Sequence, residues 1–502
     1  MTGQEAAPAS DPRRWKALGV LGLIQFMLIL DVTVVNVALP DIQTDLDFTE
    51  AGLAWVVNGY VLMAGGLLLL GGRLADMLGR KRVFLVGVLV FGLASAACGA
   101  AANAEMLVSA RFVQGIGEAL AAPASLGLIA VMFPDPQERI KALGLWGGIA
   151  GLGGTSGTVI SGFLTDLADW RWIFYINLPV AAFALAVVPA LVRESRMERR
   201  SHRPDVAGAL TGTAGLIGIV YGLLEAAEHD WISRQVLLPL IGGVLLIGVM
   251  VLVESRSKDP LIPLSFFRNR TRVVTNFVTL FFSAGFFSYF FLLTLFEQQV
   301  LDYSPIQSGL SYLPLGITIG IGIGLGTALM PRLGVKRILG TGFLLLALGL
   351  ALTSTLSTDS SYVSGILPGM LLLAFGSGIS FPAFGNASLH EVTGQDSSLA
   401  SGVQQAVQQV GGALGLATIV TIALRHADDK ISSLARSGTV ITDAVTRDAL
   451  TEGFAIGWRV AVGLLVVGAV LVIWLLEHVL AVPRNPLVEE VAVEAGETPE
   501  PV

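Results

Sequence analysis

The segment Gly71-Gly72-Arg73-Leu74-Ala75-Asp76-Met77-Leu78-Gly79-Arg80-Lys81-Arg82 decides how this chain is read. It sets four cations and one acid between two apolar runs, 51–71 and 83–103. Each run has about the twenty residues that a helix needs to cross a bilayer. Gly72 and Gly79 allow a tight turn between the helices, and Asp76 is placed to pair with an arginine or a helix N-terminus. A weaker copy, GTALMPRLGVKR (326–337), occurs far along the chain. Aligning Gly79, Lys81 and Arg82 with Gly334, Lys336 and Arg337 puts Pro331 where Asp76 stands. Eight apolar runs separate the two loops, whereas two directly joined six-helix halves would place six. Two additional helices are therefore expected between the halves.

Apolar runs of spanning length recur at 16–40, 51–71, 83–103, 105–133, 142–165, 171–192, 206–226 and 235–254. After a polar break they continue at 273–296, 308–330, 337–357, 362–385, 402–424 and 456–480, fourteen in all. The expected fold is all-α and membrane-embedded. It has a six-helix half over 1–200, two linker helices over 201–258, a second six-helix half over 259–485 and a disordered acidic tail over 486–502. The 53% hydrophobic composition, with only 14% charged residues, leaves a soluble chain no way to hide its apolar surface. With the N-terminus inside, 23 of the 31 Lys and Arg fall on cytoplasmic segments, so both termini are read as cytoplasmic. Arg13, Arg14 and Lys16 before the first run resemble a signal peptide. The run is too long for one and carries Asp31 and Asn36, so it is read as a retained helix.

Other classes find no support. No basic stripe interleaved with aromatics points to nucleic acid, and no nucleophile–base pair or metal-ligand cluster marks an enzyme or a metal site. The single Cys98 lies in an apolar run and is read as a packed small residue. No cofactor is expected, and the longest loop, about 425–455, offers at most a short cap.

Charges inside apolar runs are the strongest functional signal, because each costs at least about 2.5–3.5 kcal/mol to place there. Asp31 is a candidate for reversible protonation or for contact with a cationic substrate, the alternative being a hydrogen-bond hub with Asn36. Arg111 stays charged and would answer to a nearby carboxylate or pin its helix by an ion pair. Glu118 is seven residues further along the same helix face, about 10 Å away, and can bind a proton or a cation. Glu225 reads as interfacial, and Glu297 as a candidate substrate contact. Aromatics crowd the run at 273–296. Phe286 and Phe290 are candidates to line an apolar cavity, although such rings more often meet lipid or other helices. Gln404, Gln405, Gln408 and Gln409 open the thirteenth run, with Gln405 taken as a substrate contact.

The full loop pattern G-x-L-A-D-x-x-G-R-K-R, carried by Gly72, Asp76, Gly79, Arg80, Lys81 and Arg82, resembles the signature loop of the major facilitator superfamily. Three further segments resemble its fourteen-helix drug:proton antiporter branch. They are LDVTVVNVALP (30–40), RFVQGIGEA (111–119) and the stretch from Gly147 to Pro179, which ends in DWRWIFYINLP (169–179). The resemblance implies a loop that latches one conformation and Arg111 in proton coupling with Asp31 and Glu118. The substrate would be met by Asp31, Asn36, Gln114, Glu118, Glu297, Phe286, Phe290 and Gln405. The helix-five motif of this branch departs from its usual form. It is carried by Gly153, Gly157, Thr158 and Gly162, with Thr158 in place of the usual proline and Ser161 in place of a glycine.

These readings converge on a proton-coupled exporter of drugs, antibiotics or lipophilic cations in the inner membrane, expected as a monomer. The surplus of acids favours lipophilic, cationic or zwitterionic compounds. The chain has no phosphate loop for ATP-driven export. A dedicated single-metabolite exporter and a proton symporter stand as alternatives, with a receptor or sensor last.

Overall fold

The structure, a computed structural model, describes residues 13–133, 136–195, 205–227, 229–257, 260, 268–388 and 397–477. The expected acidic tail over 486–502 lies outside the described residues. Helices dominate, and no strand occurs among the described residues. The first half comprises α1 (Arg14–Asp45), α2 (Glu50–Leu78), α3 (Arg80–Gly99), α4 (Ala104–Met132), α5 (Pro136–Leu167), the single turn α6 (Trp172–Tyr175) and α7 (Asn177–Leu191). A hairpin of α8 (Val206–Glu225) and α9 (Arg234–Arg256) follows. Then come α10 (Arg270–Leu295), α11 (Pro305–Ser311), α12 (Leu313–Thr353), α13 (Leu367–Ser388), α14 (Ser397–Arg436) and α15 (Asp443–Leu475). Two π-helical turns, Phe296–Val300 and Tyr362–Ile366, extend α10 and introduce α13.

The helices start where the sequence supplies an acceptor for their free N–H groups. Thr49, Asn103, Asp205, Ser233, Asn269 and Thr442 each cap the helix that follows. Ser304 and Gln307 form a reciprocal capping box, with Pro305 in the first turn of α11. Thus Ser304 and Pro305 act as a helix-start signal.

Twelve helical segments among the described residues are long and apolar enough to cross a membrane, against fourteen expected runs. The glycine-rich α5 is not among the twelve. A second difference is that Pro305–Thr353 counts as one segment of 49 residues. At 1.5 Å per residue that is about 74 Å, more than twice a hydrocarbon core of about 30 Å. Its backbone breaks inside α12 at Gly334 (φ 77°, ψ 159°). Gly79, its partner in the repeat, has φ 112° and separates α2 from α3. Both are left-handed positions that glycine tolerates and other residues rarely adopt.

In the first half, α1 packs on α5 and α7, while α2 and α3 pack on α4. In the second, α10 packs on α14 and α15, and α12 on α13 and α15. The α8–α9 hairpin sits at the seam, with α8 against both α2 and α14. The outer face of α9 leaves Leu238, Ile241, Val244, Leu245 and Leu252 exposed, a surface suited to lipid. The region expected as a loop at 425–455 is largely helical. Here α14 runs to Arg436 and α15 begins at Asp443, and Lys430 pairs with Asp448 (2.8 Å) and Glu452 across them. Its charges bridge two helices, which a reading by hydropathy alone takes for a loop.

Candidate functional site

A closed polar network occupies the interior of the first half, centred on Asp31 of α1 (0% exposed). Arg111 of α4 (1% exposed) donates from Nη1 to Asp31 Oδ2 at 2.5 Å. Gln114, one turn along on the same face, donates from Nε2 to Asp31 Oδ1 at 2.8 Å, and Asn177 of α7 donates to the same oxygen at 2.7 Å. Gln114 also receives Arg111 Nη1 on its own carbonyl (2.6 Å) and donates to Ser95 Oγ of α3 (2.7 Å). From α2, the Val56 carbonyl accepts Arg111 Nε at 2.8 Å, and the Tyr60 ring lies 4.2 Å under the guanidinium. Five helices thus share one ion pair. The cation–π contact and three donors on the carboxylate supply what a buried pair needs to offset its desolvation.

Asn36, expected as a partner of Asp31, instead donates to Val32 O of its own helix at 3.3 Å. Asp31 is therefore not exposed to a cavity in this conformation. It sits inside a helix bundle, held by donors from α4 and α7 that Ser95 of α3 in turn supports.

Glu118 is buried on α4 beside Tyr60, whose hydroxyl donates to Leu28 O at 3.5 Å, and its Oε2 has no partner. Tyr60 thereby touches both the Arg111 guanidinium and Glu118. Glu297 lies in the second half, on the π-helical turn that ends α10, and is fully buried with neither oxygen hydrogen-bonded. Phe286 and Phe290 are half-buried. Phe286 stacks on Phe282 (5.8 Å) and meets Phe381 of α13 (6.0 Å), while Phe290 stacks on Tyr312 (5.3 Å). Gln405 is half-buried on α14, and its neighbour Gln404 donates to Thr279 of α10 at 2.8 Å. The candidate substrate residues are thus divided between the halves rather than gathered in one cluster.

The loop between α2 and α3 is tied by two acids. Asp76 accepts Arg80 Nε at 2.9 Å within the loop itself. Glu194, beyond α7, accepts the backbone N–H groups of Lys81 (3.0 Å) and Arg82 (3.2 Å) at the start of α3. This carboxylate caps the helix and complements its dipole. Lys81 Nζ donates to Pro189 O at 3.1 Å. Gly79 is needed twice over here, because a Cβ at that position would lie 2.7 Å from the Glu194 carboxylate. The helix-five residues make close approaches. A Cβ at Gly153 would lie 2.9 Å from Phe26 O of α1, and one at Gly162 would lie 2.7 Å from Pro305 O of α11. Gly157 abuts Thr33, Thr158 is buried beside Gly309, and Ser161 Oγ donates to Val34 O at 2.5 Å. Small residues on α5 therefore let it touch both halves.

Ser95, Val56, Tyr60 and Glu194 make contacts in the network and the loop that no motif assigns to them, and Asn177 belongs to one only as part of the DWRWIFYINLP stretch. Asn177 alone carried a signal, as a lone amide between apolar neighbours. Among the described residues no group of three or more His, Cys, Asp or Glu converges to hold a metal ion.

Comparison with known proteins gives the network a context. The chain is 40% identical over 475 residues to the puromycin resistance protein pur8 of Streptomyces alboniger, covering 94% of this chain and 93% of that one. It is 40% identical over 416 residues to the lincomycin resistance protein of Streptomyces lincolnensis, covering 82% and 84%. Among solved structures, a bacterial homologue of the human lysosomal transporter Spinster matches with a TM-score of 0.66 at 17% identity, covering 93% of this chain and 97% of that one. The sequence profile of the Major Facilitator Superfamily matches residues 21–416, and the chain belongs to that superfamily of membrane transporters.

Proposed function

We propose that this chain is a proton-coupled exporter of antibiotic-like organic compounds, working by alternating access between two six-helix halves. The observation that carries the proposal is the sealed Asp31–Arg111 pair shared by five helices. A proton arriving on Asp31 cancels one charge of the pair. Arg111 then keeps the Val56 and Gln114 carbonyls and the Tyr60 and Phe174 rings but no full negative charge, and the donors from α4 and α7 lose an anion. Because the network ties α1, α2, α3, α4 and α7 together, neutralising it shifts their mutual packing. Glu118 shares Tyr60 with Arg111 and is the proposed route between this pair and a bound cation.

On this reading the chain crosses the inner membrane fourteen times. Both α5 and the two parts of Pro305–Thr353 on either side of Gly334 count as crossings. Residues 1–200 and 259–485 form the halves, 201–258 form the hairpin between them, and both termini lie inside. Gln298 donates to Val37 O at 2.8 Å and Gln299 to Gln43 Oε1 at 3.0 Å, joining the ends of α10 and α1. With both termini inside, these contacts shut the outer face, as an inward-facing state requires. Protonation on the outer side and release inside would drive export of a lipophilic cation or zwitterion by a monomer. Two relatives named for resistance to a single antibiotic each favour a second reading, a dedicated exporter of one compound.

The test uses purified protein in liposomes with an imposed proton gradient and a panel of puromycin, lincomycin and lipophilic cations. Movement of several panel members on the gradient supports broad export, and movement of one supports the dedicated reading. Movement that ignores the gradient contradicts proton coupling.

A further inference from the structure

The π-helical turn at the end of α10 combines two features that the Asp31 network does not explain. Its second residue, Glu297, is 0% exposed beside the buried Phe296, with neither carboxylate oxygen hydrogen-bonded. Its next two residues, Gln298 and Gln299, reach across to α1 and join the halves. A π-turn inserts an extra residue into a helix and is found mostly at working positions. Here it lets one turn point an acid inward and two amides across the seam.

Among the described residues, the surroundings of Glu297 offer no counter-charge. Ser308 and Ser311 of α11 stand beside the carboxylate. Ser311 Oγ donates instead to the Ser308 carbonyl at 2.7 Å, and Ser308 Oγ has no partner. The titratable groups facing it are all tyrosines, namely Tyr289 on α10, Tyr303 on the linker, Tyr312 before α12 and Tyr362 before α13. Tyr312 Oη is engaged with Thr294 (2.9 Å) and Phe290 O (3.2 Å), and Tyr362 donates to Ser311 O at 2.7 Å. The charged groups near the turn are spent elsewhere. Arg447 of α15 pairs with Asp302 at 2.8 Å, and Asp41 of α1 faces Asp166 and Asp169. An ionised carboxylate here would be a charge closed to solvent with no opposite charge among the described residues, which is costly unless it is paired or neutralised.

We propose that Glu297 is a second proton-binding site, whose protonated form holds the π-turn closed and so keeps Gln298 and Gln299 latched on α1. Loss of the proton creates a charge that must reach water. The turn is the last of α10, so hydrating it unwinds the latch and separates the ends of α1 and α10. The closed state holds the proton and the open state does not, so raising pH favours the open state. This inference rests on the alternating-access reading for its meaning, but its test does not need substrate.

The experiment places spin labels on the full-length protein in liposomes, at Thr44→Cys on α1 and Leu310→Cys on α11, after replacing the buried Cys98 by alanine. In the otherwise unaltered protein, the inter-label distance is expected to lengthen as pH is raised. Glu297→Gln keeps the shape of the neutral acid but has no proton to lose, so it is expected to stay at the short distance at every pH. The double variant Gln298→Ala with Gln299→Ala keeps the acid and removes the latch, so it is expected to populate the long distance even at low pH. A Glu297→Gln protein that opens with the same pH profile as its parent overturns the proposal, as does a parent whose distance ignores pH. A parent that exchanges protons for substrate while its distance stays fixed overturns the latch alone and leaves coupled export standing.

Discussion

Asp31 in the first half and Glu297 in the second are both closed to solvent, yet they are held in opposite company. Asp31 meets a guanidinium and two amides from two other helices, α4 and α7. Among the described residues, Glu297 meets hydroxyls and tyrosine rings with no cation. The loops at the two repeat positions differ in the same direction. The first half binds its loop with Asp76, Arg80 and Glu194, and the second has Pro331 where Asp76 would be. The difference teaches that two halves of similar layout need not share the work. The first half stores an ion pair, in which charge is already compensated. The second stores a lone acid, in which charge has no support.

The comparison predicts its largest contrast in stability. Arg111→Ala strands Asp31 as an uncompensated buried charge and should destabilise the protein by about 3–5 kcal/mol. Glu297→Gln removes no partner from any ion pair and should change stability by no more than about 1 kcal/mol. Denaturant unfolding of the two variants in detergent checks the contrast, and equal losses would erase the distinction between the sites.

The two loop glycines provide a sharper, smaller comparison. Gly334→Ala forces a side chain into a left-handed backbone, at a cost of about 1–2 kcal/mol, and Gly79→Ala, whose Cβ would also meet the Glu194 carboxylate, should cost more. Glu194→Gln should cost a further, separate 0.5–1 kcal/mol or about that, by weakening the charged cap on α3. No acid is expected to play this part beside Gly334. Thermal unfolding of the three variants measures the order. At the bottom of the scale, Lys430→Ala breaks partly exposed pairs between α14 and α15 and should change stability by about 1 kcal/mol or less.

Much of this was legible before the fold was known. The alignment of Gly79 with Gly334 marked two equivalent positions, and both have a positive φ, a backbone that glycine adopts without strain. Asp31, Arg111 and Glu118 stood out because charges in apolar runs are costly. Their partners did not. Ser95 is a small polar residue of a kind common in membrane helices, and only the rotation of α3 aims it at Gln114 and Asn177. Val56 contributes a backbone carbonyl, which no side-chain pattern can flag. Glu194 read as one charge in a basic segment, since its role depends on the chain returning to the start of α3. The helical extension past Leu424 was missed because hydropathy marks where a helix stops being apolar, not where it ends.

The central claim is that Asp31 couples proton movement to export. The direct measurement follows a pH-sensitive dye trapped in liposomes that hold the wild type or Asp31→Asn, as a transported panel compound is added. The account predicts substrate-triggered proton movement in the wild type and its loss in Asp31→Asn, with the variant still folded. Equal proton movement in both proteins would contradict it.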